Sequence, residues 1–366
     1  MSRQKIIVSV TNDLTIDQRV AKICNTLIEN NYSVMLVGRT LSDSKPIQRP
    51  YQTKRFKLCF NKGPLFYLNY NIRLFFFLLF NKVDILWSND LDTLLPNYWV
   101  SKIKGTKLIF DSHEYFTEVP ELVDRPQKKA LWKRLERKIL PQLKNVLTVS
   151  QSIANMYHKE YGIDAKVLRN VPVSDKPNVD VETLRKGDEK ILIYQGAINV
   201  NRGIELMVET MQHLENTLLY VLGKGDIDEK IAQLILDKKL QEKVKMLGVI
   251  PLEKLHSYTL QADLGLSLEE DKGLNYRFAL PNKLFDYIHA EIPVLVSDLP
   301  EMAGLVRQYG VGEVLTNYNS KHLAALIKGM LTDEVKMEEW KQNAKKAAQE
   351  LNWEKEKKVI TDLLNA

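Results

Sequence analysis

Twice along this chain of 366 residues, short apolar runs alternate with longer stretches of helical periodicity. A doubled alternation of that kind confines a fold to parallel sheets with helices on both faces. The first series places strands near residues 5–10, 33–37, 84–87, 107–111, 145–149 and 166–168. The second restarts at 190–194 and continues through 218–222, 244–247, 264–267 and 293–297. Helices fill the gaps. The proline-punctuated polar segment 172–178 separates the two series. The reading is therefore α/β, with one doubly wound domain at 1–172, a linker at 173–188 and a second domain at 189–350. Residues 322–331, 335–351 and 354–364 read as helices, and 351–366 is expected to pack back on the first domain. There is no tandem repeat and no low-complexity tract.

Length suffices for two cores, and 45% hydrophobic with 27% charged residues is the composition of a soluble globular protein. Cys24 and Cys59 lack metal spacing and form no disulfide framework, which favours a reducing compartment and a cytoplasmic location. The apolar run 6–10 that follows Lys5 is too short for a signal-peptide core. Residues 74–80 are densely apolar but far too short to span a bilayer, so a buried helix is expected there, with an interfacial helix as the alternative. Charge is unevenly placed. Residues 1–170 hold 27 Lys and Arg against 15 Asp and Glu, whereas 171–366 hold 25 against 31. The first half should face something anionic. Its densest basic run is Lys128, Lys129, Lys133, Arg134, Arg137 and Lys138, interleaved with Leu131, Trp132, Leu135 and Ile139. That pattern suits either a peripheral helix on an anionic membrane surface or a core-packed helix with a solvated back.

In open parallel sheets ligands bind beyond the carboxyl ends of the strands. The polar loops at 11–17, 88–92, 111–118, 195–203, 223–226, 248–251 and 269–283 occupy those ends and are expected to surround a shared cleft. No Gly-x-Gly-x-x-Gly follows the first strand, which disfavours a nicotinamide dehydrogenase. Leu280-Pro281-Asn282-Lys283-Leu284-Phe285-Asp286 reads as a loop turning into a helix. Its free amides, helix dipole and Lys283 suit a phosphate, and Asp286 suits ribose hydroxyls. An ordinary helix start would read the same way. Gln195-Gly196-Ala197-Ile198-Asn199-Val200-Asn201-Arg202-Gly203 would let a backbone approach a diphosphate, with Arg202 as a forked donor. Gly223-Lys224-Gly225 resembles half of a phosphate loop without its Lys-Ser/Thr ending, so a tight turn is the stronger reading. Asp111-Ser112-His113-Glu114 ends a strand, and His113 between two carboxylates is a candidate to orient a sugar or an acceptor hydroxyl. Asp90-Leu91-Asp92 spells an acid pair of the kind that holds Mg²⁺, but Arg202 and Lys283 already neutralise phosphate and no metal is required. Asn12, Asp13, Asp17 and Arg19 make a further polar loop, in which Arg19 could pair with Asp17.

In order along the chain, Asn12-Asp13, Asp17-Gln18-Arg19-Val20, Asp111-Ser112-His113-Glu114, Thr148-Val149-Ser150, Asn170-Val171-Pro172, Arg202-Gly203, Pro281-Asn282-Lys283-Leu284-Phe285-Asp286-Tyr287 and Trp353-Glu354 resemble the family-4 retaining glycosyltransferases. The resemblance implies a GT-B fold, two Rossmann-like domains facing a central cleft. The donor, a nucleoside-diphosphate sugar, would bind mainly in the second domain, and a hydroxyl acceptor (a glycan or lipid-linked glycan) in the first. It implies no separate cofactor and no metal. Arg202 and Lys283 would hold the diphosphate, with Gly196, Ala197, Asn199, Gly203, Gly223, Lys224, Asn282 and Leu284 around the donor. Gly248 and Val249 would lie by the base, Asp286 on the ribose and His113 near the reacting sugar. Asn12, Asp13, Arg19, Asp90 and Glu114 would line the acceptor side. The family commonly carries two glutamates separated by seven residues. Here Asp286 stands at the second position and Phe278 at the first, leaving Glu269, Glu270 or Asp271 as candidates for the missing carboxylate. A nucleotide-sugar epimerase of the same fold and a non-catalytic, membrane-docked sugar-nucleotide binder are the alternatives. Nucleic acid is disfavoured, because the basic residues lack an aromatic stacking platform.

Overall fold

A computed structural model describes residues 3–15, 17–42, 44–123, 125–174 and 179–365. The chain divides into two compact units. The first comprises Met1–Asn170 and Lys357–Ala366, the second Val171–Glu356.

The first unit is built on seven parallel strands: β1 (Lys5–Ser9), β2 (Ser33–Thr40), β3 (Gln52–Lys57), β4 (Ile85–Asn89), β5 (Lys107–Ser112), β6 (Asn145–Thr148) and β7 (Lys166–Val167). Their order is β3-β2-β1-β4-β5-β6-β7, so the direction of winding reverses between β1 and β4. The inner strands are apolar on both faces because helices cover both. Ile6, Ile7, Val8, Leu86 and Trp87 have no exposed surface. Side-chain caps start the crossover helices where the sequence supplies them. Asp17 accepts from the Val20 amide at the head of Gln18–Glu29, and Ser150 from the Ile153 amide at the head of Gln151–Tyr161.

The second unit has six parallel strands: β8 (Lys190–Gln195), β9 (Thr217–Leu222), β10 (Val244–Gly248), β11 (Leu264–Ser267), β12 (Val294–Ser297) and β13 (Gly312–Leu315). The order β10-β9-β8-β11-β12-β13 puts the switch point between β8 and β11. Every inner strand read from the sequence is present. The two strands missed, β3 and β13, are edges: β3 is polar but for Phe56 and mostly exposed, and β13 is four residues long.

Three expectations change. Residues 179–188 are no free linker but are fastened to the second unit. The Val179 amide donates to Ser257 Oγ, the Leu184 amide to Gln261 Oε1, and Leu184 is buried. Ser174 is held in the same unit, its amide and hydroxyl donating to Glu354 Oε2, and the linker residues Asp175, Lys176, Pro177 and Asn178 lie outside the described residues. The back-crossing segment starts later than residue 351. Trp353 stays with the second unit, its amide bonded to the Pro172 carbonyl, and only the helix Lys358–Asn365 joins the first. There Ile360 and Leu363 are buried, and Lys107 Nζ donates to the Leu363 carbonyl at 2.8 Å. Finally, residues 74–80 belong to a longer helix, Gly63–Phe80, that is buried on one side alone. Phe66, Tyr70, Leu74 and Leu78 face the core while Phe76 and Phe80 are exposed. Among the described residues no helix is long and apolar enough to cross a membrane.

Candidate functional site

At the carboxyl ends of the second sheet, the chain leaves β8 through Gly196, β9 through Gly223 and β10 through Gly248. The Gly196 amide donates to the Leu222 carbonyl, and the Gly223 amide to that of Gly248. At Gly223, φ is +148°, and a Cβ there would lie 1.8 Å from the Gly196 carbonyl oxygen. At Gly203, φ is +72°, and a Cβ would lie 2.1 Å from the Leu268 carbonyl. Only glycine fits either place. Asn199 ties the β8 loop to the next one by accepting from the Asp226 amide, while Lys224 and Val249 stand exposed.

Beside this rim, at the β8/β11 switch point, three charged side chains converge. Glu269 follows β11 and has no exposed surface. Its Oε1 accepts from Lys283 Nζ at 2.7 Å and Arg202 Nη1 at 3.4 Å, and its Oε2 from Ser267 Oγ at 2.8 Å. Lys283 sits on the first turn of the helix Asn282–His289 and is 7% exposed, its ammonium 4.2 Å above the Tyr194 ring. Arg202 lies over Tyr276 at 5.2 Å, and its Nε is buried with no partner among the described residues. Burial alone would raise the Glu269 carboxyl, but Lys283 and Arg202 hold it below its ordinary value. Burial lowers Lys283, with Arg202 adding to that and Glu269 opposing it. Arg202, despite burial, is raised by Glu269. The cluster is two cations on one carboxylate, with net positive charge; Lys283 and Glu269 are buried and Arg202 is partly exposed.

This geometry corrects the reading of Glu269 as a sugar-binding carboxylate. Wholly buried and turned onto three donors, its carboxylate sets the two cations and shows no surface to a sugar. Glu270 and Asp271 take no part in the cluster. They line a pocket with Gly203, Leu206, Lys272 and Tyr318, and Asp271 pairs with Arg277 at 2.9 Å. Asp286 is half-buried one turn beyond Lys283 and accepts from Gln195 Nε2 at 2.9 Å. Gln195 is itself held by Thr259, through a 2.8 Å bond to Gln195 Oε1. Sequence alone does not single out Gln195 within its loop. Its position as the last, inward-facing residue of β8 was the available signal.

In the first unit a second cluster sits at the ends of β1, β4 and β5. Arg19 grips Asp111 with two nitrogens, at 3.1 and 2.6 Å, and donates a third bond to the Leu168 carbonyl at 2.7 Å. The pairing with Asp17 is thereby excluded, since Asp17 caps its helix and accepts from Asn12. Arg19 is buried with all three nitrogens hydrogen-bonded, so it acts on its surroundings through Asp111. His113 Nε2 lies 3.3 Å from Asp111 and 3.1 Å from Asn89 Oδ1; Nδ1 lies 3.4 Å from Asp90. The Asp90 carboxylate also takes the His113 amide at 2.8 Å. To do so Asp90 adopts φ +55°, a strained conformation for a residue with a side chain. Burial would lower the His113 ring, but Asp90 and Asp111 push it up to about 9, so it is an imidazolium at neutral pH. Arg19 and His113 hold Asp111 well below the carboxylate range against burial. Asp92 is pushed up to about 7 by burial and by Asp90, and accepts from Thr11 Oγ1 at 2.6 Å.

Asn12 and Asp13 shape the β1 loop. Asn12 accepts from the Leu14 amide, and Asp13 from the Thr15 amide and hydroxyl. Glu114 is half-buried beside His113, its carbonyl accepting from Ser112 Oγ. Among the described residues no group of three or more His, Cys, Asp or Glu is arranged to hold a metal ion.

Two family descriptions match the chain in tandem: Glycosyltransferase Family 4 over residues 16–172 and Glycosyl transferases group 1 over 175–347. The fold is shared with solved structures of low identity. The sucrose-phosphate synthase of Thermosynechococcus elongatus superposes with a TM-score of 0.79 at 17% identity, covering 99% of this chain and 98% of that one. Anabaena HepE in complex with UDP-glucose gives 0.79 at 16% identity over the whole of both chains. WaaG, a glycosyltransferase involved in lipopolysaccharide biosynthesis, gives 0.67 at 15% identity over 97% of this chain and 99% of that one. Among curated proteins no sequence match is found. The fold class is GT-B, two Rossmann-like domains. The chain belongs to the family-4-type, group 1 glycosyltransferases and is an enzyme that transfers sugar.

Proposed function

We propose that the chain moves a sugar from a nucleoside-diphosphate donor held by the second unit to a hydroxyl of a glycan or lipid-linked glycan, with retention at the anomeric carbon and no metal. The observation that carries this reading is the convergence of Arg202 and Lys283 on buried Glu269 at the switch point of the second sheet. A departing diphosphate accumulates negative charge, and two preset cations, Lys283 buried and Arg202 partly exposed, stabilise it without reorganising. Because they supply that charge, the reading needs no divalent ion. The unpartnered Nε of Arg202 leaves a guanidinium donor for a phosphate oxygen.

Gly196, Ala197, Gly203 and Gly223 would lie around the diphosphate, and Asn282 and Leu284 lie on the first turn of the helix that carries Lys283. Asn199 and Lys224 would border the donor. Gly248 and Val249 would meet the base and Asp286 the ribose, with Gln195 fixing the carboxylate's orientation. In the first unit His113, as a cation between Asp90 and Asp111, donates hydrogen bonds and cannot serve as a base. It would orient the transferring sugar, with Glu114, Asn12 and Asp13 toward the acceptor. Deprotonation of the acceptor then falls to the leaving phosphate. The HepE structure holds UDP-glucose, which makes uridine donors the first to try.

The test is a thermal-shift screen with UDP-, GDP-, ADP- and dTDP-sugars, with and without Mg²⁺, on wild type and Arg202→Ala. A rise of several degrees for one nucleotide series, indifferent to Mg²⁺ and lost in the variant, supports the donor site. No shift with any donor would sink it. Binding without turnover would favour a non-catalytic sugar-nucleotide binder, and a changed sugar without acceptor an epimerase. Synthesis of cell-surface polysaccharide or glycolipid in the cytoplasm is the setting proposed for this chemistry.

A further inference from the structure

The helix Gly63–Phe80 turns Phe66, Tyr70, Leu74 and Leu78 inward and leaves a second apolar stripe outside. Leu65, Leu68, Ile72, Phe76 and Phe80 recur at helical spacing along it, and Phe80 is 79% exposed. The helix Asp90–Lys104 packs alongside and exposes Leu95, Trp99 and Ile103 at intervals of four. The two stripes meet: Leu68, Ile72 and Phe76 line a shallow groove together with Leu95 and Trp99. A continuous apolar face of this size on a water-soluble unit marks a surface that is covered in use.

The charges around it identify the cover. Residues 44–83 contain eight Lys and Arg and no Asp or Glu, and residues 93–110 contain three and none. Lys62, Arg73, Lys82 and Lys102 are exposed on or beside the two stripes. The helix Pro126–Ile139 continues the same flank, where Trp132 packs edge-on against Tyr67 at 5.2 Å. It exposes Leu131 at 66% together with Lys128, Arg134, Arg137 and Lys138, while Lys129 and Lys133 are taken up by Glu118, Glu136 and Glu160. Apolar stripes with a basic and acid-free border fit the headgroup region of a bilayer containing anionic lipid. They fit a second copy poorly, since a two-fold contact would set like charge against like.

We infer that the outer face of the helices Gly63–Phe80 and Asp90–Lys104 docks the first unit on an anionic membrane surface, with Phe76, Phe80, Trp99 and Ile103 entering the acyl boundary and Arg73 and Lys102 among the headgroups. This goes beyond the donor reading and stands if that reading falls, because it involves none of the donor residues. Without nucleotide, the full chain is sedimented with vesicles of phosphatidylcholine alone or with about a third phosphatidylglycerol. The expected result is at least about tenfold stronger binding to the mixed vesicles, weakening as salt rises, and quenching of Trp99 by brominated lipid. Phe76→Asp with Trp99→Asp should abolish binding and leave the melting temperature unchanged, since both side chains are exposed. Arg73→Glu with Lys102→Glu should reduce binding to the level seen on neutral vesicles. Failure of wild type to bind the mixed vesicles overturns the inference. So does a dimer in solution that Phe76→Asp dissolves.

Discussion

Replacing Glu269 by glutamine keeps the side chain's shape but leaves Lys283 and Arg202 facing an uncharged amide. Breaking a buried ion pair from one side costs about 3–5 kcal/mol, so Glu269→Gln should unfold at markedly lower urea concentration. Added nucleoside diphosphate should recover more of that loss than it adds to wild type, because the ligand then supplies the missing negative charge. Chemical denaturation with and without UDP checks both. His113 makes a different prediction. Its folded value of about 9 lies above the ordinary 6.5, so its ion pairs contribute fully below about pH 6.5 and that contribution is lost as pH rises through about 9. Urea midpoints should fall across that window, and His113→Gln should flatten the fall. At this scale the sequence was legible where a residue's own neighbours mark it, as for Lys283 after Pro281-Asn282. It was silent where partners are remote: Glu269 is 67 positions from Arg202, and Arg19 is 92 from Asp111. Arg19 was accordingly read toward nearby Asp17, and Glu269 toward a sugar.

The elements that form the donor rim owe their geometry to backbone rather than to side chains. In Gly223→Ala the new methyl meets the Gly196 carbonyl at 1.8 Å in a conformation that side chains avoid, so the ends of β8 and β9 must part. The variant should lose about 2 kcal/mol or more and bind donor nucleotide more weakly, measurable by thermal melting and calorimetry. Every strand inside the two sheets was legible, and two of the four edge strands were not. β1, β4, β8 and β12 lie inside their sheets and are written as apolar runs; β3, reading Gln-Thr-Lys-Arg-Phe-Lys, has one side open to water and so lacks the signal. Residues 74–80 failed differently. Their apolarity is real, but a uniformly apolar stretch does not tell which half of the helix faces the core and which faces outward.

Across the whole molecule, sequence alternation was enough to assign two doubly wound domains, and the restart at residue 190 marked the second. What it could not assign was allegiance. Residues 179–188 belong to the second unit through amide bonds to Ser257 and Gln261, and Lys358–Asn365 to the first through Ile360, Leu363 and the ion pair of Lys357 with Glu29. Deleting residues 357–366 should therefore destabilise one unit and spare the other. Uncovering Ile360 and Leu363 removes about 3–5 kcal/mol of burial from the first. Calorimetry should show a single transition split into two, the lower belonging to the first unit.

That same helix bears on how the chain is made. A polypeptide leaves the ribosome from its amino end, and here the first unit lacks one of its helices until the entire second unit has emerged. The second, continuous in sequence from Val171 to Glu356, can close as it appears. The earlier-synthesised half is thus the later one to finish. During translation this unit, with its incomplete core and the exposed phenylalanines of Gly63–Phe80, is the part of the protein that most needs a chaperone.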